Sequence, residues 1–146
     1  MAKSLKGLTP EERWEISDLL ARFGFASDTR DMGMLDDVFV PEATGDFGPA
    51  GEPQGLDAIK ATILRVVEPL DATQHNITTS LVTPTADGAH ARTYFVAHHV
   101  LGGEVFSVAG TYEDDLALRE GKWRLTHRTI NVTWTGGNPA VLGLEL

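Results

Sequence analysis

The chain has no cysteine in 146 residues, so a disulfide, a thiolate nucleophile and a cysteine metal site are all excluded. No stretch of lysine and arginine is concentrated anywhere, and the formal net charge is -9. Nucleic acid and anionic membrane surfaces reward clustered positive charge, so neither is an expected partner. No apolar run approaches the ~20 residues that span a bilayer. The opening "MAKSLKGLTPEERWE" lacks the apolar core of a signal peptide, and the expectation is a soluble cytoplasmic protein. A Gly-rich phosphate loop, G-x-S-x-G and H-E-x-x-H are missing too, which removes nucleotide, serine-hydrolase and zincin chemistry from the first candidates.

What is present is an ordinary globular balance, with 42% hydrophobic and 23% charged residues. The length suits one domain, residues 1–146, large enough to bury most of its apolar surface. In "LTPEERWEISDLLARFGFA", Thr9 suits an N-cap, Pro10 the first helical position and Glu12 the returning half of a capping box. Ile16, Leu19, Leu20 and Phe23 then follow at helical spacing. Asp31 can cap a short second helix carrying Met34, Leu35, Val38 and Phe39, ended by Pro41. Residues 41–55 read as a loop around Phe47, and a third helix runs from Leu56 to about Leu70.

Beyond Leu70 the apolar period changes from 3.6 to 2, giving expected strands Ala72–Thr83, Ala89–Leu101, Glu104–Leu118 and Lys122–Trp134. Turns at Asp87-Gly88, Gly102-Gly103 and "REGK" join them into a four-stranded antiparallel meander. The fold class is therefore α+β. Residues 135–146 form a C-terminal tail, ending in Val141, Leu142, Leu144 and Leu146, that can close a pocket.

Five histidines invite a metal-site reading. The adjacent pair His98-His99 argues against it, since neighbouring strand residues point to opposite faces: one turns inward and one outward. No metal site is expected. His90, beside the hairpin turn, and the acidic run Glu113–Asp115 read as solvated. His75 differs, because on a two-residue period it shares a face with Ile77, Thr79 and Leu81, the apolar and hence inner face. A buried imidazole left without partners costs about 1–3 kcal/mol. Asp28, one helical period beyond Ala21 and Gly24, can supply one. A carboxylate on one ring nitrogen fixes the tautomer and leaves the other nitrogen as a general base. The alternative is that Asp28 caps a helix end and His75 is a satisfied core histidine.

Helix one ending in "FGFASDTRD", then "DATQHNI", "VAGTYEDDL" and "GKWRLTHR", resembles the SnoaL-like branch of the nuclear-transport-factor-two-like superfamily. That branch is similar to scytalone dehydratase, bile-acid 7α-dehydratase and hexachlorocyclohexane dehydrochlorinase. The resemblance implies a cone: a curved antiparallel sheet, cystatin-like, wrapped around the N-terminal helices with an apolar pocket inside. In lyase members an Asp on helix one and a His at the start of the next long strand form a catalytic dyad, and these positions fall on Asp28 and His75. An arginine of the last strand lines the pocket in dehydrochlorinase-like members, and Arg128 stands at that place. Five residues before the dyad Asp, relatives carry a tyrosine or lysine that can protonate a leaving group, whereas here Phe23 cannot.

The expectation is thus a cofactor-independent acid/base enzyme acting on a small hydrophobic molecule, a lyase or dehydratase. His75 is the base, Asp28 orients it, and Arg128 polarises an oxygen or takes the departing group. Tyr94, His98 or Tyr112 can replace the missing acid, and Phe23, Phe47, Leu64, Val96, Val108 and the terminal leucines are wall candidates. The same dyad suits an isomerase or a polyketide-type cyclase. The competing class is a non-catalytic binding module like the β subunits of ring-hydroxylating dioxygenases. A homo-oligomer, dimer or trimer, is expected through an outer face carrying Phe95, Val105 and Ala109.

Overall fold

The first helix, α1 (Pro10–Thr29), begins where a complete capping box closes it: Thr9 Oγ1 accepts from the Glu12 N–H, and Glu12 returns the bond to Thr9 N–H. The computed structural model describes residues 7–143, so Leu144 and Leu146 lie outside the described residues. At the other end Arg30 adopts a left-handed conformation, φ 59°, and stops the helix. Its guanidinium donates at 2.8 Å to the carbonyls of Val67 and Leu70, capping the end of α2 (Leu56–Val67). That clamp holds the last turn of α1 in place.

Five strands follow the chain order β1 (Phe39–Asp46), β2 (Ala72–Thr85), β3 (Gly88–Leu101), β4 (Glu104–Arg119) and β5 (Lys122–Gly137). They form one open sheet in the order β1-β5-β4-β3-β2. The four long strands make the expected antiparallel meander. The fifth, β1, runs parallel to β5, so the sheet is mixed where an antiparallel one was expected. Residues 41–55, rich in glycine, proline and acidic residues, were expected to be a loop, whereas β1 runs on to Asp46. A proline is tolerated there because β1 lies at the sheet edge, and the ladder breaks between Phe39 and Thr44. The expected second helix is a 3-10 segment, Met32–Asp37, without a side-chain cap from Asp31, and Phe39 belongs to the strand.

The helices pack on the concave side of this curved sheet, giving an α+β cone. Its core includes Ile16, Leu20, Phe23, Leu35, Phe39, Ile59, Trp123 and Leu125. Among the described residues no helix is long and apolar enough to cross a membrane.

Two departures concern which face each strand turns inward. A bulge in β2 places Thr79 at φ +42° and shifts the register between Thr78 and Ser80. His75 and Ile77 face inward before it, but afterwards Val82 packs on the core and Leu81 is exposed. The expected face His75–Leu81 is therefore cut at the bulge. On β3 the odd residues face inward: Ala91, Phe95, Ala97 and His99 are buried, while Tyr94 is 60% exposed. Phe95 is thus not on the outer face; its ring stacks on Tyr112 with centroids 4.3 Å apart. Ala109 is on the outer face, opposite Val96 and Trp134, but is covered there, so only Val105 of that trio is exposed.

Candidate active site

The close approach of α1 to β2 creates the site. Gly24 has no side chain, and a Cβ added to it would lie 3.2 Å from His75 Cβ and 2.9 Å from Ile77 Cδ1. Only glycine lets the helix lie this near the strand. One turn later Asp28 reaches β2 and is held three times: Thr73 Oγ1 and the His75 backbone N–H each donate to it at 2.8 Å, and His75 Nδ1 at 2.7 Å. A carboxylate only accepts, so Nδ1 carries the hydrogen, and among the described residues Nε2 has no hydrogen-bond partner. Burial alone would raise the Asp28 carboxyl, but the hydrogen bonds and charge of His75 outweigh it and hold it below its ordinary 3.8.

His75 lies on the wall of a cavity of about 760 Å³, bounded by α1, α2, the sheet and the tail. On its other side the Asp28–His75 pair meets a smaller recess of about 250 Å³ beside Phe25 and Asn76. The larger cavity is apolar, with Phe23, Phe47, Phe95, Val108, Ile130 and Val141 among its walls. Thr135, Ala140, Leu142 and Gly143 line it too.

Several expected residues are elsewhere. Tyr94, Val96 and His98 sit on the outer face of β3, and His98 Nδ1 pairs with Ser107 at 2.7 Å. Leu64 does not border the cavity; its neighbours Ile63, Val66 and Val67 do, because they occupy the α2 face turned toward the sheet. Tyr112 lies on the wall as expected, and burial pushes its hydroxyl well above its ordinary 10.0, so it stays protonated.

Arg128 does not line the cavity. It is fully buried, with Nε and Nη2 donating to Asp114 at 2.7 and 2.9 Å. Its Cζ lies 4.2 Å from the Phe23 ring centroid and 4.0 Å from that of Tyr112. The pairing also corrects the reading of Glu113–Asp115 as solvated, since Asp114 faces inward opposite Arg128. His90 at the same end of the sheet is bonded to Glu113 at 2.7 Å and Asp115 at 3.2 Å. Burial pushes Asp114 above its ordinary range, against the pull of the guanidinium. Arg128 therefore holds Phe23 and Tyr112 in position from within the core.

His99, not His98, is the member of the adjacent pair that turns to the cavity. It is 6% exposed, borders the cavity, and its ring centroid lies 6.1 Å from that of His75. The polar His90 and Arg92 on the even positions of β3, against Ala89, Ala91 and Ala97 on the odd ones, carry the signal that would have set this phase. Among the described residues no group of three or more His, Asp or Glu is placed to hold a metal ion.

Comparison with known proteins agrees with this architecture. The family described as the SnoaL-like domain matches residues 9–129. A proposed aromatic ring hydroxylase from Novosphingobium aromaticivorans is 26% identical, with TM-score 0.81 over 92% of this chain and 99% of that one. A proposed scytalone dehydratase from the same organism is 21% identical, with TM-score 0.77 over 87% of each chain. The hexachlorocyclohexane dehydrochlorinase LinA-type3 from Novosphingobium barchaimii is 18% identical, with TM-score 0.76 over 92% of each chain. The last two likenesses are of fold. No curated protein matches the chain in sequence.

Proposed function

The chain belongs to the SnoaL-like domain family, and from that premise we propose that it is a cofactor-independent acid/base enzyme, a lyase acting on a small, mainly apolar molecule. The observation that carries the reading is the 2.7 Å contact between Asp28 and His75 Nδ1 at the wall of an apolar cavity. His75 Nε2 takes a proton from a carbon next to an activating group. The C–H electron pair becomes the new double bond as the bond to the leaving group breaks, and that group departs with its own electron pair. Asp28 stabilises the imidazolium that forms.

Phe23 has no proton to give, so Tyr112 takes the donor role toward the leaving group or a developing oxyanion. Arg128 acts at one remove, by placing Phe23 and Tyr112. A positioned base contributes ~10²–10⁴-fold, and orientation in the cavity supplies much of the remainder. Exposed Tyr94 and Trp134 on the convex face, 60% and 54% accessible, support a homo-oligomer, which light scattering would detect as a mass above 15.8 kDa.

His75→Gln keeps a hydrogen-bonding side chain of similar size and is expected to fold normally. Turnover of a substrate found by screening hydroxylated and halogenated apolar compounds should fall ~10²-fold or more, with ligand affinity little changed. Asp28→Asn should do comparable damage. A His75→Gln variant that turns over like the parent ends the catalytic reading.

A further inference from the structure

The proposed elimination leaves one buried imidazole unused. His99 Nδ1 lies 3.0 Å from the carbonyl oxygen of Phe106. A carbonyl only accepts, so Nδ1 carries the hydrogen, and Nε2 of the neutral ring is an acceptor. Burial holds the ring below its ordinary 6.5, so it is neutral at physiological pH. Among the described residues the structure gives Nε2 no donor.

The other polar groups of the cavity are already engaged or carry no charge. Ser27 and Thr62 donate to the carbonyls of Phe23 and Ala58 within their own helices. Arg65 is exposed, and its guanidinium turns to the Ala50 carbonyl at 3.0 Å. Arg128, the inner cation, is paired with Asp114 away from the wall. Among the described residues the cation that borders the cavity, Arg65, stands exposed at its edge, so a carboxylate seated deep beside His99 meets no cation, while a hydrogen-bond donor there finds an acceptor that otherwise stays unpaired in an apolar surround.

We propose that His99 is a specificity-determining residue whose Nε2 accepts a hydrogen bond from a hydroxyl of an uncharged, mainly apolar substrate. The hydroxyl is a phenol, enol or alcohol, set about one ring's width from the carbon that His75 deprotonates. In naming that substrate class the proposal rests on the reading of His75 as the base. A cavity of about 760 Å³ suits a ligand of drug-like size. An ether at the same place strands the acceptor and is rejected, because an unmet buried polar group costs more than the bond contributes when made.

The test compares 2-naphthol with 2-methoxynaphthalene, which differ by one hydrogen replaced with methyl. The parent protein should bind the naphthol about tenfold or more tightly. His99→Leu should abolish that preference by weakening the naphthol alone, and His99→Gln, which retains an acceptor, should keep part of it. In ¹⁵N NMR the free protein should show a pyridine-like His99 Nε2 that shifts on adding naphthol and not on adding the ether. Equal affinities in the parent, no binding of either probe, or a preference that survives His99→Leu overturns the proposal. So does a preference lost in His75→Gln and kept in His99→Leu, which would assign the contact to His75. A naphthol preference tied to His99, together with unimpaired turnover in His75→Gln, sinks the catalytic reading and leaves the acceptor standing.

Discussion

Replacing Asp114 with asparagine keeps the outline of the side chain and removes its charge, leaving the Arg128 guanidinium cationic in a place where both residues are fully buried. In the parent, Arg128 Nε and Nη2 meet the two carboxylate oxygens at 2.7 and 2.9 Å. Asparagine supplies one acceptor and turns an NH₂ toward the second donor. Among the described residues Arg128 Nη1 already has no hydrogen-bond partner, so none of them stands ready to compensate. The contacts with the Phe23 and Tyr112 rings persist in both proteins and offset none of the loss. Breaking one side of a buried ion pair costs about 3–5 kcal/mol. Against a total stability of about 5–15 kcal/mol that is a large share. At ~2–4 °C per kcal/mol for a domain of this size, the melting temperature should fall by roughly 6–20 °C. Thermal unfolding followed by circular dichroism measures that shift, and urea unfolding measures the free energy. Asp114→Leu combined with Arg128→Met removes both charges and should lie within about 1 kcal/mol of the parent or above it. The reasoning is refuted if Asp114→Asn costs under about 1 kcal/mol, or if the double variant is as unstable as the single one.

Gly24→Ala gains ~1 kcal/mol of helix propensity and meets His75 Cβ at 3.2 Å, an overpacking worth about 1–3 kcal/mol. Calorimetry should therefore show a small change, while turnover falls toward ~10²-fold per ångström of displacement of His75; unchanged turnover would show that Gly24 does not set the gap. Asp28 has a folded-state pKa below its ordinary 3.8, so its contribution to stability is complete above that value and is lost as pH falls through the folded one. Unfolding measured across the acid range should show Asp28→Asn losing stability less steeply than the parent. For His90, burial alone would lower the pKa, but Glu113 and Asp115 outweigh it, so its NMR titration midpoint should lie above 6.5 and that of His99 below. The stabilisation from His90 is present below 6.5 and disappears as pH rises through the raised value; a His90 midpoint under 6.5 contradicts the ion pairs.

Local signals were legible where neighbours in the chain decide the outcome. The start of α1 follows from Thr9, Pro10 and Glu12, whose caps form within one turn. The hairpins follow from Asp87-Gly88 and Gly102-Gly103, and the meander's strands begin within a residue of where the apolar alternation starts. Asp28 and His75 each stand on a strongly patterned element, one helical turn past Gly24 and inward on β2 before its bulge, but it was the resemblance to the SnoaL-like branch that paired them. The inward phase of β3 was harder to read, since Tyr94 and Val96 look as apolar as Phe95 and Ala97. Which set is covered depends on the side where α1 and α2 pack, a contact made far along the chain. Strand β1 was hidden for a similar reason: Pro41 argues against a strand until an edge position beside β5 makes its missing N–H harmless. Arg128 read as a pocket cation until β4 placed Asp114 opposite it. Periodicity and capping are short-range, so the sequence alone determined α1, α2 and the four long strands. Register, bulges and cross-strand partners are long-range, so only the tertiary structure decided that His99 and Tyr112 face the cavity and that Arg128 does not.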